Sequence, residues 1–244
     1  MKRIEGQPAY ILHYRSFRET SLILELFTRD HGRIAALAKG VKTKRVRNIG
    51  TLQPFVPLLI AASGRGELLT LKTFEAAKHP HFLAGKKLLS GFYLNELLMR
   101  LLPKWDPHVE LFEAYQNTLE MLEAKDPQTE PLLRLFEKTL LKSMGYELQL
   151  AKDTPHGKAV IETEYYLYQP ESGVSRVIDA PTAPTQIRAQ NSKDQFFKGS
   201  SLMALHNGVL EEPEVLRDAK RLIRMALRVH LGDKPLASRD LWIA

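Results

Sequence analysis

The sequence predicts an α+β protein, with its β-structure first and its helices after. Three observations carry this expectation. Residues 1–78 read as short apolar runs broken by turns, the apolar spacing changes to 3 and 4 from His81 onward, and the excess positive charge lies entirely in the β-rich part. The chain has 244 residues, 44% hydrophobic and 26% charged. That suits one large domain or two small ones and excludes a disordered or collagen-like chain. No run approaches 18 apolar residues, so no membrane span is expected. The opening MKRIEGQPAY is not followed by an apolar stretch, so no secretory signal is expected either. Cysteine is absent, which excludes disulfides, a thiol nucleophile and a Cys-ligated zinc or iron–sulfur site.

The strands come in order. Ala9–Tyr14 is a short apolar run, and Thr20–Phe27 mixes apolar and polar positions as a half-buried strand does. Asp30, His31 and Gly32 form a turn, and Ile34–Ala38 returns as the second arm of a hairpin. The segment Gly50–Ala62 holds a fourth strand, with Pro54 and Pro57 confining its first half to an edge or bulge. Ser63–Gly66 is a turn, and Glu67–Glu75 alternates as the fifth strand. Five strands in so few residues match a five-stranded oligonucleotide-binding (OB) barrel, and the basic charge fits it. An SH3-like barrel has similar counts, so spacing alone leaves both open.

The helical part begins with Leu88, Leu89, Phe92, Tyr93, Leu97, Leu98, Leu101 and Leu102, and Pro103 ends the pattern. Asp106-Pro107 is expected to open a second helix, with proline at its first turn. A third runs from about Gln128 to Met144 and stops at Gly145. Residues 147–197 hold few leucines and two β-like pieces, 164–169 and 173–178, read as a small hairpin with loops. Ser200–Asn207 and Pro213–Leu231 are the closing helices. The division expected is a barrel domain over residues 1–79 and a helical domain over 80–244, with 147–197 as a subregion.

Residues 1–80 carry a net charge of +8 and the remaining 164 residues −1. Such asymmetry points to a polyanion-binding module joined to a near-neutral body. The densest feature is the run Lys39, Lys42, Lys44, Arg45, Arg47, with five cations in nine residues and no acid, on a connection between strands. Long cationic side chains on a loop suit several phosphates at once, with steep salt dependence. A solubilising loop is the plain alternative. Arg29, Arg33 and Arg65, on the neighbouring turns, extend the candidate surface, as do Arg15 and Arg18. Tyr14, Phe17 and Phe55 are the local aromatics; bases stack on such rings in OB domains, though in a domain this small an aromatic is more often core.

Two further basic stripes lie on helices. Arg217, Arg221, Arg224 and Arg228 share one face of the last long helix, as a second polyanion face or as an ordinary solvated one. Arg134, Lys138 and Lys142 lie beside Leu132, Leu133, Phe136 and Leu140, and a basic rim on an apolar groove suits an acidic tail ending in a hydrophobic residue. No G-x-S-x-G, phosphate-loop pattern, histidine cluster or catalytic triad occurs, so no enzyme, cofactor or metal is expected.

Several segments resemble RecO, the family of bacterial recombination mediators. They include Glu19-Thr20-Ser21-Leu22, Ala38-Lys39-Gly40, Leu52-Gln53-Pro54-Phe55, Gly64-Arg65-Gly66-Glu67, residues 89–98 (LSGFYLNELL), Gly145-Tyr146, and residues 231–241 (LGDKPLASRDL). The resemblance implies an OB domain followed by a helical one, and a non-enzymatic role. It implies binding of single- and double-stranded DNA, annealing of complementary strands, and binding of the acidic C-terminal tail of the single-stranded-DNA-binding protein. With RecR, such a protein promotes loading of RecA, in the cytoplasm at the nucleoid. Arg134 falls at a matching position in the domain that resembles the family's tail-binding part. One departure stands out: many members carry a four-cysteine zinc site after the Gly-Tyr pair, and here ELQLAKDTPHGKAV follows without a cysteine. Composition alone suits an RNA-binding OB protein equally, or a protein-interaction scaffold whose basic loop is incidental.

Overall fold

The computed structural model describes residues 1–43, 49–125, 128–177, 195–232 and 234–240. Five strands form the N-terminal sheet: β1 (Lys2–Phe17), β2 (Ser21–Thr28), β3 (Gly32–Ala38), β4 (Leu58–Gly64) and β5 (Leu68–Ala76). They close into a barrel in the order β1-β2-β3-β5-β4. β3 and β5 are parallel neighbours and every other pair is antiparallel. Successive hairpins alone would not seat β5 beside β3. This crossing is the Greek-key route of the OB fold, and it decides between the two barrel readings.

β1 serves two neighbours. Its first half pairs with β4 as far as Ala9, and its second half pairs with β2 from Ala9 to Phe17. The strand starts at Lys2, seven residues before the expected start. The sequence hides this, because irregular registers between Ile4 and Gln7 and between Ile11 and His13 break the alternation. β4 starts only at Leu58, just past Pro57, whose missing N–H cannot join a ladder. Leu22, Leu24, Leu26, Ile34, Val56, Leu58, Ile60 and Leu69 fill the interior, each at most 4% exposed. Truncating any of these leucines or isoleucines to alanine costs about 2–5 kcal/mol.

The chain divides into two compact units, residues 1–129 with 235–244, and residues 130–234. In the first, α1 (Lys86–Leu101) and α2 (Val109–Glu123) cover part of the barrel's outer surface. Tyr10 and Phe27 point out of the barrel and meet Phe112 and Tyr115, with ring centroids 5.2–6.1 Å apart. Beneath these rings, buried Asn95 donates to the Leu12 carbonyl at 3.0 Å and accepts from the Tyr115 hydroxyl at 2.5 Å. Burial, with the nearby charge of Glu120 and the Tyr10 hydroxyl respectively, raises the pKa of Tyr10 and of Tyr115.

The second helix begins at Val109, not at Asp106-Pro107 as the sequence suggested. Residues 104–106 are drawn onto the barrel instead. Lys104 bridges to Arg33, the Trp105 N–H donates to the Arg33 carbonyl at 3.0 Å, and Asp106 lies against Gly32. Gly32 has φ +64 and no room for a Cβ, which would fall 1.9 Å from the Asp106 carbonyl oxygen. Glycine is therefore required there twice over. The terminal α6 (Ala237–Asp240) also belongs to this unit. The Glu96 carboxylate accepts from the Ala237 and Ser238 N–H groups at 2.8 Å, a side-chain cap on a helix start. Burial works against the charged form of Glu96, but those hydrogen bonds and Arg100 outweigh it and lower the pKa.

The second unit holds α3 (Thr129–Ser143, from Glu130), β6 (Tyr165–Gln169), β7 (Gly173–Arg176), β8 (Phe196–Lys198), α4 (Gly199–Asn207) and α5 (Pro213–Leu231). Gly145, at φ +85, ends α3, and the Tyr146 N–H returns to the Leu141 carbonyl at 2.9 Å. The expected hairpin is two strands of a three-stranded sheet, β7-β6-β8. β8 is only three residues long and sits directly before α4, too short to show a period. Buried Tyr166, Tyr168, Val174 and Phe197 hold this sheet, and Thr154 donates to the Val174 carbonyl at 2.8 Å. The chain has no cysteine, and among the described residues no three His, Asp or Glu side chains gather. With no thiolate available, the chain cannot form a four-cysteine zinc site.

Candidate nucleic-acid interface

The barrel's outer surface is occupied by α1 and α2 around Tyr10 and Phe27. The β1–β2 ribbon beyond them, residues 13–23, rises past the end of the β1–β4 pairing. The basic connection leaves β3 at this end. Its first part is fastened to the ribbon: the Gly40 N–H donates to Ser21 Oγ at 3.3 Å, the Lys42 N–H to the Thr20 carbonyl at 3.0 Å, and Lys42 Nζ to Ser16 Oγ at 2.5 Å. Val41 is buried in the barrel core and anchors the segment between two exposed lysines, Lys39 and Lys42. No carboxylate pairs with Lys39 or Lys42 among the described residues. Exposed Arg15 and Arg18 stand on the same ribbon, likewise without a carboxylate partner among the described residues. Lys44, Arg45 and Arg47 lie outside the described residues.

The other barrel candidates lie elsewhere. The turn bearing Arg29 and Arg33 is at the opposite end of the β2–β3 hairpin, about 20 Å away along strands of this length. Arg29 pairs with Asp30 at 3.0 Å and with Glu113 at 3.2 Å. Arg33 is mostly buried, donates to the Leu102 carbonyl at 3.1 Å and lies 3.5 Å from Glu25. Both bind the barrel to its own helices and turns. Arg65 is exposed on the β4–β5 turn, next to the start of β5. The preceding Gly64 pairs with Lys2, at the far end of β1 from the ribbon, so Arg65 also stands away from Lys39 and Lys42.

In the second unit, Arg134 is only 8% exposed and forms a 2.8 Å ion pair with fully buried Glu137 on the same helix. Lys138 donates to the Leu205 and His206 carbonyls at the end of α4, at 3.0 and 2.5 Å. A cation there satisfies the orphan carbonyls of a helix C-terminus. Burial, partly countered by Glu147, lowers the Lys138 pKa, with Lys142 adding to the lowering. Leu133 is core, at 4% exposed. On α5, Arg217, Arg224 and Arg228 are exposed. Arg221 is turned inward: it pairs with Asp218 at 3.1 Å, reaches the Phe196 carbonyl and lies 4.4 Å over the Phe197 ring. Equal helical spacing therefore covers two employments, and only contacts with β8 could have revealed the difference.

Comparison with known proteins agrees with the fold. The family model described as recombination protein O N terminal matches residues 1–79, and the one described as recombination protein O C terminal matches residues 83–240. The chain is 43% identical over 239 residues to the DNA repair protein RecO of Nitrosococcus oceani, covering 98% of this chain and 93% of that one. It is 42% identical over 241 residues to the protein of that name from Coxiella burnetii, covering 98% of each. It is 44% identical over 234 residues to that of Methylococcus capsulatus, covering 96% of this chain and 91% of the relative. With both family models matched in order and relatives aligned almost end to end, the chain belongs to the recombination protein O family of DNA repair proteins.

Proposed function

We propose that this chain is a non-enzymatic recombination mediator that binds single- and double-stranded DNA and anneals complementary strands. The observation that carries the reading is the cationic group Arg15, Arg18, Lys39 and Lys42 on one end of an OB barrel, with no carboxylate partner among the described residues. It stands at the start of a run of five cations in nine residues. Charges that no carboxylate neutralises are available to phosphates, and displaced counterions supply the driving force. A loop offers phosphate contacts rather than a groove-reading helix, so sequence preference is slight. Annealing follows when one basic surface screens two strands from each other. Residues 1–79 act as the DNA module, and residues 80–244 carry the protein contacts.

The partners proposed are RecR, the acidic tail of the single-stranded-DNA-binding protein and, through them, RecA. Family membership supports these. For the tail, Arg134 has the matching position, but its guanidinium already serves Glu137, so a tail carboxylate must share or displace that pair. Arg217, Arg224 and Arg228 remain as a second polyanion face.

The test is annealing of complementary oligonucleotides without ATP, bare or coated with the single-stranded-DNA-binding protein. The expected result is annealing of both, lost for coated strands when that protein's tail is deleted. Neutralising Lys42, Lys44, Arg45 and Arg47 together abolishes annealing of bare strands. Intact annealing by that variant overturns the assignment of the basic connection.

A further inference from the structure

Among the described residues, the barrel has one aromatic ring that its own packing leaves largely open. Tyr10, Phe27 and Phe55 are at most 5% exposed, and Phe74 packs against the core. Phe17 is half-buried, with the Arg18 guanidinium over its ring at 5.4 Å. Tyr14 alone is 45% exposed. No ring, cation or hydrogen-bond partner engages its side chain among the described residues. A single exposed tyrosine is ordinary on a protein surface; its neighbours make this one informative.

Across an antiparallel pair, directly opposed residues share a face. Tyr14 is opposite Leu24 and Ser16 is opposite Leu22, and both leucines point into the barrel core. Tyr14 and Ser16 thus stand on the concave face of the ribbon, beyond the point where β4 stops pairing with β1. Lys42 reaches that same face, because its ammonium donates to Ser16 Oγ. An open aromatic face and a lysine ammonium therefore lie side by side, two strand positions apart, about 7 Å along β1. Arg18 marks the tip of the same ribbon, held at φ 52, a conformation uncommon for a side chain other than glycine.

We propose that Tyr14 is a base-stacking platform that favours single-stranded over duplex DNA, with Lys42 placed for the adjoining phosphate. This inference rests on the DNA-binding reading above and adds to it the basis of strand preference. Phosphate contacts alone do not distinguish a single strand from a duplex, since both present phosphates. A ring does, because only an unpaired base offers it a free face.

The full chain would be titrated with a fluorescent oligothymidine and with a duplex of equal length, across a salt series. Tyr14→Ala is expected to weaken oligothymidine binding about tenfold, to change duplex binding less than twofold, and to leave both salt slopes unchanged. Tyr14→Trp retains the single-strand affinity, and its added emission is quenched by oligothymidine and not by the duplex. Lys39→Ala with Lys42→Ala lowers both affinities and both slopes. If Tyr14→Ala binds oligothymidine like the parent, or loses both ligands equally, the stacking assignment falls while the DNA-binding reading stands. If the parent protein binds neither ligand, both fall together.

Discussion

Two groups of cations in this chain, one at the ribbon end of the barrel and one inside the second unit, have opposite employments. At the ribbon end of the barrel, Lys39, Arg15 and Arg18 are exposed with no carboxylate partner among the described residues, and Lys42 bonds a serine hydroxyl and backbone. In the second unit, Arg134, Lys138 and Arg221 are wholly or partly buried and bound to Glu137, to the end of α4 and to Asp218. Both sets appear in the sequence as dense or regularly spaced basic residues. What separates them is whether a partner lies within the fold. An engaged cation holds structure and makes stability depend on its partner. A disengaged one costs the fold little and keeps its charge for a ligand. The contrast can be tested from either side.

The largest expected effect is at Glu137. Its carboxylate is fully buried against Arg134, so Glu137→Ala leaves a guanidinium in a low-dielectric site without its counter-charge. Removing one partner of a buried pair costs about 3–5 kcal/mol. Urea denaturation should show this loss, and Arg134→Met with Glu137→Leu, which removes both charges, should recover most of it. If Glu137→Ala unfolds like the parent, the pair does not hold the second unit as described.

A smaller effect belongs to Lys138. Its ammonium closes the end of α4, and Lys138→Met should cost about 1 kcal/mol, the range of a favourably placed charge at a helix terminus. The pH dependence has a definite sign. Burial lowers the folded pKa below the ordinary lysine value, so within that window the unfolded chain binds more protons. Stability contributed by this site therefore rises with pH through the window, and Lys138→Met removes the rise. Tyr168 acts in the opposite direction in the same unit: burial pushes it up to about 12. Its stabilising share is present below about 10 and is lost as pH climbs through about 12. Tyr168→Phe removes that alkaline loss, read as the pH of half-unfolding.

How much of this was legible in the sequence follows from the range of the interactions. The barrel's hairpin arms, β2 and β3, flank a recognisable Asp-His-Gly turn and are expected within two residues of their bounds, as are α4 and α5, bounded by Gly208, Pro213 and Gly232. The sequence predicts only six of the sixteen residues of β1, because its bulges break the period of two. The local proline predicts an earlier start for α2 than the fold has, because residues 104–106 answer to Gly32 and Arg33, far away in sequence. β8 was invisible because three residues carry no period. The candidate site was legible as charge and not as geometry. Nothing local distinguishes Lys42, tied to Ser16, from Lys138, tied to Leu205. Arg29 and Arg33 read as free turn residues, and only the fold supplies Glu113 and Glu25.

The smallest effect on stability, and the sharpest on binding, is expected from Lys39→Ala with Lys42→Ala. Both side chains are exposed, and surface changes away from caps and buried networks usually stay within about 0.5 kcal/mol. The midpoint of urea unfolding should hardly move. DNA binding should respond through its salt dependence, since each phosphate contact adds roughly 0.7 to the log–log slope for single strands and 0.9 for duplex. Losing two contacts should flatten the slope by about 1.4 and 1.8 respectively. Lys138→Met, made in parallel, should leave the slope unchanged while lowering stability. That crossed pattern is what separates a cation held for a ligand from one held for the fold. A slope unaltered by the barrel pair and flattened by Lys138→Met would reverse the assignment of the two groups.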